Sequence, residues 1–211
     1  MTEIWNALQR GGIIMIPLLL SSIIALAVVI EKIITLRRKK IIIPEIVSII
    51  ENLKSLADIK LAISICEKNK GPFSNIVLIG LKNVHLSKEE MREMFQDQGR
   101  QEVRSLQRGL GILETIAAIA PLLGLLGTVL GMIKVFDVIS VQGVGQTSAL
   151  SAGISEALIT TVVGLSIGIP TLVFYNYFSD KAENLILDIE KFSNDLEKKI
   201  HSFKMDHNSE T

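Results

Sequence analysis

A single cysteine, Cys66, leaves this chain unable to form an internal disulfide. It lies in a segment with apolar periodicity and reads as a small buried residue. The three histidines, His85, His201 and His207, are scattered and belong to no Cys/His/Asp cluster, so no metal site and no cofactor is expected. There is no Ser/His/Asp set, no glycine-rich phosphate loop and no pair of neighbouring carboxylates in the membrane-like segments, so the chain is not expected to be an enzyme. Lys+Arg and Asp+Glu both number 22, so no basic excess is left to attract nucleic acid.

What the chain has in quantity is apolar residues. They make up 48% of it, and the mean hydropathy of +0.43 is too high for an ordinary soluble domain. They are gathered into three runs, each near or above the roughly 20 residues needed to cross a hydrocarbon core. The first covers 13–34 and ends in Arg37-Arg38-Lys39-Lys40. It lacks the basic start, short apolar stretch and small-residue cleavage site of a signal peptide. The second covers 109–139 and follows Arg100, Arg104 and Arg108. The third covers 150–178 and ends in Tyr175, Tyr177 and Phe178, residue types that favour the membrane interface. Basic flanks stay cytoplasmic. They therefore predict an outer N-terminal segment over 1–12 with Trp5 at the interface, a cytoplasmic region over 35–108, a short outer loop over 140–149 and a cytoplasmic C-terminus. The fold class expected is an all-α polytopic membrane protein with three transmembrane helices, the second and third extended into the cytoplasm.

The cytoplasmic region reads as helical. Ile46, Ile49, Ile50 and Leu53 follow helical spacing, Gly71-Pro72 is a break, and Ser87-x-x-Glu90 is a capping box. No proline follows until Pro121. One helix is thus expected from Lys88 to about Ile139, roughly 75 Å long, although Gly99, Gly109 and Gly111 each weaken it by about 1 kcal/mol. After the third span, Leu185, Ile189, Phe192, Leu196 and Ile200 form an amphipathic stripe that predicts a helix over 179–203 continuing that span. Residues 204–211 are polar and read as a disordered tail.

Within the second and third spans the only charged residues are Glu114, Lys134, Asp137 and Glu156. Glu114 reads as an interface residue at the cytoplasmic end. Lys134 and Asp137, near the outer end, are three apart and share a helix face on which they can pair. Glu156 is deeper. An ionised acid there costs roughly 3 kcal/mol, so it either hydrogen-bonds across helices or serves a proton path. Thr128 and Thr161 lie about eleven residues in from the outer ends of oppositely running helices. Their hydroxyls are therefore expected at one depth, roughly 16 Å in. Thr160 shares the face of Glu156, whereas Thr161 points about 140° away from it. Gly127-x-x-x-Gly131 and Gly164-x-x-x-Gly168 make small faces suited to close helix packing, as does the row Ala120, Gly124, Thr128. Pro121 and Pro170 are candidate kinks.

The segment Ala120-Pro-Leu-Leu-Gly-Leu-Leu-Gly-Thr-Val-Leu-Gly131 resembles the second-span motif of the MotA/TolQ/ExbB proton channel family. The segment from Gly153-Ile-Ser-Glu-Ala-Leu-Ile-Thr-Thr to Phe-Tyr-Asn176 resembles its third-span motif. The likeness covers mainly Gly109 to Tyr177. Three spans and the Glu156 motif favour the ExbB/TolQ branch, since MotA-like members have four spans. By position the resemblance puts the channel threonines on Thr128 and Thr161, the third-span glutamate on Glu156, and the family prolines on Pro121 and Pro170. It implies an inner-membrane homo-oligomer, typically a pentamer, around an ExbD/TolR-like single-span partner whose aspartate carries protons. It further implies work delivered through a TonB- or TolA-like protein, for TonB-dependent transport or Tol-Pal envelope maintenance. Two other classes stand beside this. A non-conducting scaffold would have no need of Glu156. A solute-transporter subunit would show inverted repeats or a broken helix pair, and neither is seen.

Overall fold

The computed structural model describes residues 12–53, 58–143 and 147–209. All regular structure among them is helical: α1 (Met15–Thr35), α2 (Arg38–Ile41), α3 (Pro44–Asn52), α4 (Ile59–Lys68), α5 (Pro72–Lys82), α6 (Lys88–Gln107), α7 (Leu110–Gln142) and α8 (Thr147–Ser209). Three of these, α1, α7 and α8, are long and apolar enough to cross a membrane. The chain is an all-α polytopic membrane protein. The described residues group into two compact units. One holds 12–31, 109–143 and 147–177; the other holds 32–53, 58–108 and 178–209.

In the first unit, α1 buries Met15, Leu18, Ala25, Val28 and Val29, a stripe at helical spacing. Its other faces stay bare, as do those of α7 and α8: Ile23, Leu122, Phe136, Val162 and Val173 are all exposed. In water such a surface would drive aggregation; in a bilayer it is the surface that lipid or another helix covers.

The second unit is a small helical bundle fitted to the amphipathic part of α8. Leu185, Ile189, Leu196 and Ile200 are buried, as the stripe predicts, and the Phe192 ring packs tilted against Phe73 of α5, centroids 5.4 Å apart. Gly80 of α5 has no room for a side chain against Phe95 of α6 and Leu196 of α8. Charged groups finish the helix ends. Lys199 Nζ donates to the carbonyls of Ile50 (2.8 Å) and Glu51 (2.5 Å) near the C-terminus of α3, where the helix dipole favours a cation. Arg38 pairs with Asp188 at 2.8 Å. Cys66 is buried in α4, and burial together with the Glu67 carboxylate pushes its thiol from 9.0 to about 11.

Three expectations change. The capping box at Ser87 and Glu90 is present and starts α6, but the helix from Lys88 does not reach Ile139. It ends at Gln107, and Gly109 takes a left-handed φ of 86° before α7 begins. The buried ammonium of Lys32 donates to the Leu106 carbonyl at 3.2 Å, satisfying a group that the break leaves without its helical partner. Gly99 stays helical, and so does Gly111. The backbone of α8 is helical through Ser209, into the stretch read as a disordered tail. The loop expected over 140–149 is shorter, since α7 runs to Gln142 and α8 resumes at Thr147. Trp5 and the rest of the N-terminal segment before Gly12 lie outside the described residues.

A polar seam between two long helices

The α7–α8 contact of the first unit is built from glycines. An ideal Cβ on Gly164 would lie 2.6 Å from the Ala120 carbonyl oxygen, and one on Gly124 would lie 2.9 Å from the Thr160 carbonyl oxygen. Gly131 is equally tight against Gly153 and Ala157, and Gly168 lies against the Pro121 ring. These are the rows that the sequence singled out, and they meet one another. Backbones this close gain dispersion contacts without any hydrophobic driving force, which is how helices associate in lipid. Pro121 lies in this contact. Pro170 is exposed within α8.

Close backbones bring the few polar side chains together. Thr128 Oγ1 and Thr161 Oγ1 are 2.5 Å apart, and both hydroxyls also reach the Gly124 carbonyl at 3.2 Å. The depth count made from the sequence is met. Thr160, fully buried, packs on Gly127 and donates to the Ala157 carbonyl at 2.8 Å. Near the loop end of the seam, Lys134 Nζ pairs with Glu156 Oε1 at 2.5 Å. This corrects the expected Lys134–Asp137 pair: Asp137 has no ion pair among the described residues. The Glu156 side chain is 19% exposed, and the Lys134 side chain 57%. An unmatched charge at membrane depth costs roughly 3 kcal/mol, so a cross-helix partner for Glu156 outweighs a same-helix partner for Asp137, which is exposed.

The seam has two flanks. Thr160 marks its middle on α8. At 100° per residue, Glu156 falls about 40° to one side and Thr161 about 100° to the other. On α7, Lys134 and Thr128 are likewise about 120° apart. The Glu156 flank also holds Gly12, at the start of α1. Gly12 has φ 66° and no space for a side chain against the Glu156 carboxylate. The three residues expected to serve one path therefore divide: Thr128 and Thr161 meet, while Glu156 sits with Lys134 and Gly12 on the opposite flank. At the other end of the seam, Tyr175 lies beside the Glu114 carboxylate. Sequence reasoning left Glu114 as an interface residue and did not pair Tyr175 with it. Counting antiparallel register from Thr128 and Thr161 finds the pair, because both helices step fourteen residues to reach it. No group of three or more His, Cys, Asp or Glu that could hold a metal occurs among the described residues.

Residues 68–191 match the profile of the MotA/TolQ/ExbB proton channel family. A putative biopolymer transport protein ExbB-like 1 of Synechocystis is 35% identical over 170 residues, covering 79% of this chain and 66% of the relative. The chain thus spans just under two thirds of that relative's length. ExbB-like 3 of the same organism is 32% identical over 185 residues, covering 81% of this chain and 82% of the relative. The Tol-Pal system protein TolQ of Pseudomonas aeruginosa is 33% identical over 100 residues, covering 47% and 43%.

Proposed function

Because this chain belongs to the MotA/TolQ/ExbB proton channel family, we propose that it is the channel-forming subunit of a proton-driven motor in the inner membrane, working as ExbB does in TonB-dependent transport. The observation that carries this reading is the Thr128–Thr161 hydroxyl pair, 2.5 Å apart inside a glycine-packed seam of two apolar helices. Hydroxyls both donate and accept, so such a pair can pass a hydrogen bond from one side to the other. Glu156 supplies a carboxylate whose charge is matched by Lys134, and a proton arriving there releases the ammonium.

The basic block after α1 supports an N-terminus outside and a C-terminus in the cytoplasm. The bare apolar faces of α1, α7 and α8 leave surface for neighbouring copies as well as lipid. The family likeness supports a homo-oligomeric ring, a pentamer, around an ExbD/TolR-like single-span partner that hands the work to a TonB- or TolA-like protein. The likeness to TolQ supports Tol-Pal envelope maintenance as a second reading of the same motor.

The test is purification of the chain, in mild detergent, from its native membrane with whatever single-span protein binds it, followed by native mass spectrometry. A complex of five copies with that partner is expected. A stable monomer that binds no single-span protein overturns the proposal. In cells, Glu156→Gln should assemble normally and lose most of the activity that depends on the proton motive force.

A further inference from the structure

The second unit holds a cavity of about 580 Å³ between α6 and α8, away from the polar seam. Small-molecule sites run to about 300–1,000 Å³. Ile76 of α5, Phe95 of α6 and Ile189 of α8 line it, all of them buried. So do two carboxylates, Glu102 of α6 at 8% exposure and Glu197 of α8 at 7%. A buried carboxylate is costly unless hydrogen bonds and a cation offset it. Glu102 Oε1 accepts from Asn75 Nδ2 at 2.8 Å and from Gln98 Nε2 at 2.9 Å, two neutral amides that leave its charge unmatched. Glu197 has no hydrogen bond and no ion pair among the described residues. Ser193, also buried in the lining, donates its hydroxyl to the Ile189 carbonyl at 2.8 Å and has only lone pairs left to offer.

The buried lining therefore presents acceptors and negative charge. Arg92, Arg100 and Arg104 border the same cavity, but all three are exposed, and none forms an ion pair with Glu102, Glu190 or Glu197. Arg100 pairs instead with Asp97 at 3.9 Å. Salt screens exposed charges and acts much less on buried ones, so the two buried glutamates set the charge of the interior. An anion would have to face them. A metal ion would find too few ligands, since the described residues hold no group of three or more His, Cys, Asp or Glu suited to one. An alkylammonium matches the lining: it carries three donors and no acceptor, and its methylenes can lie on Ile76, Phe95 and Ile189.

We propose that this cavity binds a linear aliphatic diamine or polyamine, with one ammonium on Glu102, another on Glu197 and the methylene chain along the apolar lining. Two ammoniums are assigned because the two carboxylates stand on different helices and each lacks a cation. The bound amine ties α6 to α8 within the second unit, whether or not the seam of the first unit conducts protons.

The experiment is isothermal titration calorimetry of putrescine and spermidine into the full chain in mild detergent at fixed ionic strength, with melting temperature followed on the same samples. Both amines should bind at one site per chain and raise the melting temperature. Butylamine, which keeps the methylenes and one ammonium, should bind at least about 10-fold more weakly than putrescine. Glu197→Gln and Glu102→Gln should each weaken putrescine about 10- to 150-fold, the range of a hydrogen bond to a charged group. Without amine, Glu197→Gln should melt no lower than wild type, because it removes a buried charge that has no partner. No saturable binding to wild type overturns the proposal. Putrescine binding of equal strength in Glu197→Gln overturns it as well, by marking a diffuse surface attraction. A Glu197→Gln protein that fails to fold, or melts well below wild type, does the same, since the acid would then be matched by a cation of the chain itself. If Glu102→Gln does not fold, Glu197→Gln decides alone.

Discussion

Gly164→Ala adds one methyl group where the seam packs backbone directly on backbone. The new Cβ would stand 2.6 Å from the Ala120 carbonyl oxygen, 2.9 Å from Gly124 Cα and 3.1 Å from Gly124 N. All three are backbone atoms, so no side chain can swing aside. A carbon and a carbonyl oxygen settle at about 3.3 Å or more; the two helices must therefore part by several tenths of an ångström along the whole row. Overpacking of this kind costs about 1–3 kcal/mol, a shift of roughly 5- to 150-fold in the unfolding equilibrium. The same substitution at Gly99 of α6 meets nothing within 4 Å. There alanine should stabilise by up to about 1 kcal/mol, because it gives up less backbone freedom in a helix. Thermal unfolding in mild detergent, followed by circular dichroism, reads both. A Gly164→Ala protein that melts at or above the wild-type temperature would refute the seam as described, whatever Gly99→Ala does.

Ile189→Asp places a charge on a side chain 4% exposed, in the stripe that α8 offers to the second unit. It should cost several kcal/mol and sharply reduce folded protein, whereas Ile189→Leu should be tolerated; yield and melting temperature check both. Cys66 should be slow to alkylate in the folded protein at pH 8 and fast after denaturation, since burial pushes its thiol up to about 11 and the thiolate is the reactive form. The sign for stability follows: the stabilisation is complete below 9.0, the ordinary value, and is lost as pH rises through about 11. Lys134→Met should destabilise more than Lys134→Met combined with Glu156→Gln, because the single change strands a carboxylate; a double-mutant melting cycle with no coupling would contradict the ion pair.

The long helices were readable because their signals are local and repeated. The stripe from Leu185 to Ile200 specifies one face of α8 all along its polar part, and nothing in that stretch breaks it. The Thr128–Thr161 meeting was readable by counting, since two helices joined by a short loop must run antiparallel. The break at Gly109 was not. Gly99, Gly109 and Gly111 look alike in sequence, and what distinguishes Gly109 is Lys32, distant in the chain, on the carbonyl that the break exposes. The Lys134–Glu156 pair was missed for a related reason. Neighbours three apart are visible in a sequence, but a partner across the seam depends on which flank each side chain takes. Glu114 and Tyr175 were within reach of the same count that found the threonines.

In the proposed motor, the α7–α8 seam conducts protons through its hydroxyl pair. The most direct test is proton flux through the reconstituted complex of this chain and its single-span partner, wild type against Thr128→Val with Thr161→Val. Valine keeps the volume of threonine nearly constant and removes the hydroxyl. Clear flux is expected in wild type and a large loss in the double variant, with both complexes recovered in equal amount. Equal flux from the two, at equal complex content, would contradict it.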